Sequence, residues 1–259
     1  MIDRFEADGN LIGAFIVCGI SVFVLMLLHG ATLIFSKEKP RENEEKIPTG
    51  NMLKGLLSDK NLFKVILISV LWNVTSYAAI PFYGSYQIKE LGFSMTFVSI
   101  LAAAYAVVRS LFSRPMGKIA DKYSFAKMLN VCFIVMFAGF VVNVFTVPSN
   151  GAILFTVYYM LYAIAMAGIN SATINLIYDY VDQDKRVGAL ALNSTFAGFA
   201  GFFTTLAVSP LVTYIQNNGN TLFGIPVYAQ QVVSVLAAVL QAVLLIYLNT
   251  VVKKIKTER

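Results

Sequence analysis

The chain has 259 residues, of which 58% are hydrophobic and 13% charged, and its formal net charge is +6. A soluble domain carries about 25% charged residues and cannot bury this much apolar surface, so the composition excludes a soluble globular protein. The basic residues lie between apolar runs rather than on one polar face, which argues against nucleic acid as a partner.

Seven apolar runs are long enough to cross about 30 Å of hydrocarbon as helices, which takes about 20 residues. Lipid offers no hydrogen-bond partners to the backbone, so each run must be a helix or a strand of a closed barrel. The runs are too long and too uniformly apolar for barrel strands. We therefore predict an all-α membrane protein with seven transmembrane helices, at residues 9–36, 63–86, 93–112, 126–147, 152–180, 187–215 and 227–251.

Residues 37–62 form a charged, Pro-containing segment that begins Lys37-Glu38-Lys39-Pro40-Arg41. Such a segment has too little apolar content to fold alone. It predicts three parts of the chain: a single transmembrane helix in 1–36, a cytoplasmic linker in 37–62 and a six-helix unit in 63–259.

Lysine and arginine indicate the orientation, because cytoplasmic loops carry an excess of both. With the linker inside, the basic residues of 113–123, of Lys185 and Arg186 and of the C-terminal tail also lie inside, whereas only Arg4 and Lys89 lie outside. We therefore predict an N-terminus outside and a cytoplasmic C-terminus, in the cytoplasmic membrane of a bacterium.

A short charged segment, Ser113–Tyr123, lies between two of the apolar runs. Pro115 and Gly117 are predicted to end one helix and turn the chain. Asp121 is a lone acid among cations, placed to bond with a specific partner. The cations that would hold this turn at the cytoplasmic face are Arg114, Lys118 and Lys122.

The pattern R-P-x-x-G-x-x-A-D-K after an apolar span resembles the loop between the second and third helices of each half of a major facilitator superfamily transporter. In that family each six-helix half consists of two inverted three-helix repeats. The resemblance implies that 1–36 corresponds to the sixth family helix and 63–259 to a C-terminal half. The chain would then be a fragment, a truncated gene product or a half that pairs with a complementary N-terminal half.

A second segment, Tyr178–Leu190, resembles the cytoplasmic loop between family helices ten and eleven. By resemblance, Asp121 caps or pairs with the other half of the transporter. Asp179 could pair with Arg114 or Arg186, and a solvated acid at a helix end is an equal alternative. The resulting prediction is a conformational gate made of Arg114, Gly117, Asp121, Lys122, Asp179 and Arg186.

Polar side chains inside a membrane are costly and face either a partner or a water-filled cavity. Three runs carry such residues at the three- and four-residue spacing of one helix face. Interhelical hydrogen bonds, worth about 0.6 kcal/mol each, are the alternative explanation for any single residue. The faces as a whole predict a substrate cavity lined by Trp72, Asn73, Ser76, Tyr83, Tyr159, Tyr162, Asn170, Thr173 and Asn193.

The predicted function is secondary active transport of a small organic solute by alternating access, within a lipid bilayer. Aromatic rings with amides and hydroxyls, and no charge at mid-membrane, suit an uncharged or amphipathic solute. The span count leaves a seven-helix receptor or sensor as the alternative. We expect no enzymatic activity, no cofactor and no metal, because the chain lacks the motifs of membrane enzymes and has a single histidine.

Overall fold

The structure, a computed structural model of the chain, describes residues 11–34, 55–56 and 58–252. Most of the predicted linker and the basic C-terminal tail therefore lie outside the described residues. The described helices are α1 (Leu11–Ile34), α2 (Lys60–Tyr77), α3 (Ile80–Lys89), α4 (Met95–Lys122), α5 (Phe125–Val144), α6 (Gly151–Tyr178), α7 (Arg186–Asn217) and α8 (Ala229–Thr250).

Six spans in the described residues are long and apolar enough to cross a membrane. Helices α2 and α3 together form the first of them, Lys60–Lys89, and α4 to α8 form the other five. Helix α1, with 24 apolar-rich residues, occupies the run predicted at 9–36. The prediction of an all-α membrane protein is confirmed, apart from a small hairpin described below.

The start of α2 corrects the predicted end of the linker. The Asp59 side chain accepts hydrogen bonds from the backbone N–H groups of Asn61 and Leu62, so it caps a helix that begins at Lys60. An aspartate at this position satisfies N–H groups that have no partner within the helix. Residues 60–62 therefore belong to the bundle rather than to the linker.

The run predicted as one helix at 63–86 is broken in the middle. Ala79 leaves the helical region with φ −132° and ψ −51°, and α3 begins at Ile80 with Pro81 in its first turn. Proline is tolerated at that position because the N–H it lacks would have no helical partner there. The break lies on the side of the bundle that carries the candidate site.

The predicted turn at Pro115 and Gly117 is wrong. Helix α4 continues through both residues to Lys122, and the chain turns at Tyr123 and Ser124 instead. Packing beyond the proline explains the difference, because Met116 and Ala120 are buried one helical turn apart. Their burial against the bundle holds the last turns of α4 in helical register despite the missing N–H of Pro115.

A short antiparallel hairpin connects α7 to α8. Its strands, β1 (Thr221–Leu222) and β2 (Ile225–Pro226), are joined by a turn in which Phe223 and Gly224 both have positive φ. Asn220 ties the hairpin to the bundle by donating from Nδ2 to Oε2 of Glu90 at 3.0 Å. The hairpin is the only β-structure in the described residues, and the apolar periodicity gave no sign of it.

The helix contacts repeat in two sets of three spans. Helix α2 packs against α7 as α4 packs against α6, and α5 packs against α6 as α8 packs against α2. If α2 is exchanged with α6, α4 with α7 and α5 with α8, each of these pairs is converted into the other member of its comparison. Helices α5 and α8 also pack against each other, and this pair is unchanged by the exchange. Two three-helix repeats related by a pseudo-twofold axis produce this pattern.

The bundle buries its spans unequally. The apolar part of α4 is 6% buried and that of α7 is 22% buried, whereas that of the Lys60–Lys89 span is 50% buried. Large apolar side chains on the open faces include Leu111 on α4 and Phe202 on α7. Lipid or another protein segment must cover such faces in a membrane.

Candidate functional site

A cavity of about 590 Å³ opens between α2, the start of α3, α6 and α7. Ligand sites for small molecules range from about 300 to 1,000 Å³, so this volume is in their range. Seven residues predicted from the sequence line it: Trp72, Asn73, Ser76, Tyr162, Asn170, Thr173 and Asn193.

The wall from α2 combines an aromatic ring with small polar groups. One face of Trp72 stacks on Phe133 of α5, with ring centroids 5.7 Å apart, and the indole also borders the cavity. Asn73 donates from Nδ2 to the Ser69 carbonyl at 2.9 Å, and the Ser76 hydroxyl donates to the Asn73 carbonyl at 3.3 Å. These bonds fix the side chains on the helix surface without removing them from the cavity.

The wall from α6 continues an aromatic cluster towards α4. The ring of Tyr162 lies 5.3 Å from that of Tyr105 on α4 and 6.1 Å from that of Tyr158 on its own helix. Further along α6, the Thr173 hydroxyl donates to the carbonyls of Ile169 and Asn170. One helix therefore presents the cavity with both a flat apolar ring and hydrogen-bonding groups.

The wall from α7 is made of small residues around one amide. Oδ1 of Asn193 is buried and has no hydrogen-bond partner among the described residues. Ala197 and Gly198 follow on the same side, and a Cβ added at Gly198 would meet no atom within 4 Å. Because these side chains are small, the α7 wall takes up little of the cavity volume.

Two predicted residues, Tyr83 and Tyr159, do not line this cavity. Both line a separate hollow of about 310 Å³ behind α3, which shares Tyr162 with the main cavity. Tyr83 is 3% exposed, and its hydroxyl is 2.8 Å from Oγ of Ser234. Its polar group is thus already satisfied in the bundle interior.

The sequence reasoning missed Tyr77 and Pro81 as lining residues. Tyr77 lies four residues after Asn73, so the same helical spacing could have identified it. Pro81 could not be found in this way, because the break at Ala79 changes the direction of the helix. Gly201 on α7 makes room for Tyr77, since a Cβ there would be 3.0 Å from Cδ2 of the tyrosine ring.

Among the residues that the structure describes, the lining of the main cavity contains no charged side chain. Arg109 of α4 instead lines another hollow of about 410 Å³, together with Tyr105, Ser110 and Ser113. A charged solute in the main cavity would therefore have no opposite charge among its lining residues.

Four of the predicted gate residues lie on the last turns of α4, where Arg114, Asp121 and Lys122 are exposed and Gly117 is partly so. The spacing of seven residues places Arg114 and Asp121 on one helix face. The Asp121 carboxylate makes no hydrogen bond or ion pair with the described residues. A Cβ at Gly117 would meet nothing within 4 Å.

The other two predicted gate residues lie where α6 meets α7. Nη2 of Arg186 donates to the Tyr178 carbonyl at 3.4 Å, and its guanidinium lies 4.9 Å from the centre of the Tyr178 ring. Asp179 ends α6, and its backbone N–H bonds to the Asn175 carbonyl. Burial and the neighbouring Asp179 carboxylate raise the pKa of the Tyr180 hydroxyl. Through its two contacts with Tyr178, Arg186 holds the loop between α6 and α7 against the end of α6.

Comparison with known proteins identifies the family. The model of the Major Facilitator Superfamily matches residues 8–203 and 65–259, which together cover nearly the whole chain. The chain belongs to the Major Facilitator Superfamily. The resemblance of the chain to this family is confirmed.

Two relatives show how much of a family member the chain represents. A protein of Staphylococcus haemolyticus (strain JCSC1435), described as the probable nitrate transporter NarT, is 24% identical over 206 residues, which are 78% of this chain and 51% of that protein. The crystal structure of the E. coli fucose:proton symporter FucP matches with a TM-score of 0.60 and 14% identity, over 96% of this chain and 58% of that chain. The chain thus spans about half the length of the relatives it matches, and the likeness to FucP shows the fold alone.

Proposed function

We propose that this chain supplies one six-helix half and one further helix of a secondary active transporter for a small organic solute. The observation that carries the proposal is the cavity between α2, α6 and α7, in which ten polar or aromatic residues from three different spans converge. Membrane proteins seldom place so many polar groups together at mid-span without a solute or partner to bind. Membership of a transporter family favours this function over a seven-helix receptor or sensor.

Alternating access requires two halves that rock about a site between them. The open faces of α4 and α7 beside the cavity are suited to contact a complementary half, whether on the same polypeptide or on another. In this proposal Asp121 bonds to the complementary half in one state and releases it in the other. Arg114, Gly117 and Lys122 on α4, with Asp179 and Arg186 at the α6–α7 connection, complete the gate.

The proposal places the protein in the cytoplasmic membrane of a bacterium, with the N-terminus outside and the C-terminus inside. In this orientation the turn at Tyr123 and the connection at Lys185 are cytoplasmic, and the hairpin between α7 and α8 is outside. The exposed cations Lys118, Lys122 and Lys127 flank the cytoplasmic turn, as the positive-inside rule requires.

A bulky side chain in the cavity tests the proposal. Gly198→Phe projects into the cavity from a position where a Cβ meets no other atom, so the bundle can accept the new residue. We expect the variant to fold and to abolish solute uptake by a transporter assembled with its complementary half. Ala207→Phe, at an exposed position on the same helix outside the cavity lining, is the matched control and should transport normally. Normal uptake by Gly198→Phe would contradict the proposal.

A further inference from the structure

The hydrogen-bonding groups on the α2 wall have already used much of their donor capacity. The single proton of the Ser76 hydroxyl goes to the Asn73 carbonyl, and one N–H of the Asn73 amide goes to the Ser69 carbonyl. A hydroxyl has one proton and two lone pairs, and a carboxamide oxygen has two lone pairs. Since Oδ1 of Asn73 accepts no hydrogen bond from the described residues, this wall offers a solute acceptors. It also offers donors, because the indole N–H of Trp72 and the second amide N–H of Asn73 lie on the same wall.

The walls from α6 and α7 also present acceptors. The Thr173 hydroxyl shares its proton between the carbonyls of Ile169 and Asn170, at 2.9 and 3.1 Å, and keeps its lone pairs. On α7, the buried Oδ1 of Asn193 has no donor among the described residues. Buried polar atoms are rarely left unpaired, so a donor from a bound solute would satisfy this oxygen. Three helices thus present acceptors to one cavity, beside the amide and hydroxyl donors of the same lining.

Two other properties of the cavity limit the chemistry of that donor. No charged residue lines it among the described residues, so an ion of either sign, such as nitrate or a quaternary ammonium, would be desolvated without a counter-charge. The rings of Trp72 and Tyr162 offer flat apolar surface against which C–H groups can pack. A hydroxyl group, which both donates and accepts, matches the mixed donors and acceptors of the lining.

We infer that the cavity binds an uncharged solute with several hydroxyl groups, such as a polyol or a monosaccharide. Each hydroxyl can donate to Asn73, Thr173 or Asn193 and can also accept from the remaining donors of the lining. The inference rests on the proposed transport function and names its substrate class. It follows from the free acceptors of this cavity and from its lack of charge.

Trp72 makes the inference directly measurable, because it is the only tryptophan of the chain and lines the cavity. The purified full chain in detergent is titrated with myo-inositol, D-sorbitol, sodium nitrate and tetramethylammonium chloride, and the tryptophan fluorescence is followed. We expect saturable changes with the two polyols and no saturable change with the two ions. Saturation by nitrate or tetramethylammonium, or no saturation by either polyol, would overturn the inference.

Matched substitutions locate the binding site. Thr173→Val removes a cavity acceptor at constant shape and should raise the polyol Kd about 3- to 10-fold, the effect of one lost hydrogen bond. Thr173→Ser should restore the affinity. Thr156→Val is the control, because the Thr156 hydroxyl bonds to the Ala152 carbonyl of the same helix and lies outside the cavity lining. Equal effects of the two valine variants would contradict binding at Thr173.

A second pair tests the α2 wall. Asn73→Leu should weaken polyol binding about 3- to 10-fold or more, since it removes the free carboxamide oxygen. Asn175→Leu is its control, because Nδ2 of Asn175 also bonds to a carbonyl one turn earlier, outside the cavity lining.

The proposed substrate class and the proposed transport function can be contradicted separately. Uptake of a solute without hydroxyl groups by the assembled transporter, with no response to polyols, would contradict the substrate class but not the transport function. Polyol binding without any uptake would contradict the transport function but not the binding site.

Discussion

Gly168 lies at a close contact between α5 and α6. A Cβ added there would lie 2.6 Å from Sγ of Cys132 and 3.3 Å from Cγ of Met128. Cys132 is fully buried, and its thiol also contacts Sδ of Met116 on α4 at 3.7 Å. Three helices therefore meet at this glycine, and the space beside it is already filled by the Cys132 sulfur and by side-chain carbons of Met128 and Met116.

Gly168→Ala should destabilise the bundle by about 1–3 kcal/mol, the usual cost of overpacking a closed core. The measurement is thermal unfolding of the detergent-solubilised chain. Combining Gly168→Ala with Cys132→Ala should recover part of the loss, because the smaller side chain makes room for the new methyl group. Gly198→Ala, where a Cβ meets nothing within 4 Å, is the control and should leave the midpoint unchanged or raise it slightly, because alanine favours a helix more than glycine does. An unchanged midpoint for Gly168→Ala would argue against this packing.

Tyr83 shows where sequence reasoning fails for single residues. It shares the helical spacing of Trp72, Asn73 and Ser76, which do line the cavity. The spacing cannot reveal that the chain bends at Ala79 or that Ser234, 151 residues later, supplies a partner for the tyrosine hydroxyl. Polar residues on one face thus predicted the cavity wall well, but not which of them are already paired.

The break between α2 and α3 is stabilised by a contact from another helix. The Thr205 hydroxyl of α7 donates to the Tyr77 carbonyl at 3.2 Å, at the last residue of α2. Carbonyls at a helix end have no partner within the helix, and in a membrane an unpaired one is costly. The adjacent Thr204 donates only along its own helix, to the Ala200 carbonyl at 2.7 Å.

These neighbouring threonines predict unequal effects of the same substitution. Thr205→Val should destabilise the chain by about 0.6 kcal/mol, a typical value for an interhelical hydrogen bond in a membrane, because the Tyr77 carbonyl loses its donor. Thr204→Val should have a smaller effect. Chemical denaturation in mixed micelles measures the difference, and a larger loss for Thr204→Val would show that the break does not depend on α7.

Helix α4 shows that helix-breaking residues in the sequence do not by themselves determine where a helix ends. Pro115 and Gly117 are strong helix-breaking signals in the sequence, yet the helix continues for seven residues beyond Pro115. The reason is tertiary, since Met116 packs against Cys132 of α5 and near Gly168 of α6. Apolar runs located each span correctly to within a few residues, except where such contacts extended or broke a helix.

The orientation of the whole molecule is open to a direct test. Single cysteines at Lys118 and Lys185 should be protected from a membrane-impermeant thiol reagent in intact cells, after Cys18 and Cys132 are replaced. Cysteines at Lys89 and Asn218 should react. All four positions are at least partly accessible in the folded chain, so burial cannot account for protection. Labelling at Lys118 without permeabilisation would reverse the proposed orientation.

Helix α4 has a large open face. In the chain as described, only 6% of its apolar part is fully buried, and the cavity is walled by spans of this one bundle. A single bundle cannot expose its site first to one side of a membrane and then to the other, because that exchange needs two bodies moving about the site. We therefore expect the 259-residue chain alone, reconstituted into liposomes, to show no saturable solute flux.

Addition of a complementary six-helix half should restore flux, and Asp121→Asn should impair the restored flux far more than Lys122→Gln. Saturable uptake by the monomeric chain would refute the two-body mechanism, and equal mild losses in both variants would reduce Asp121 to one charge among several.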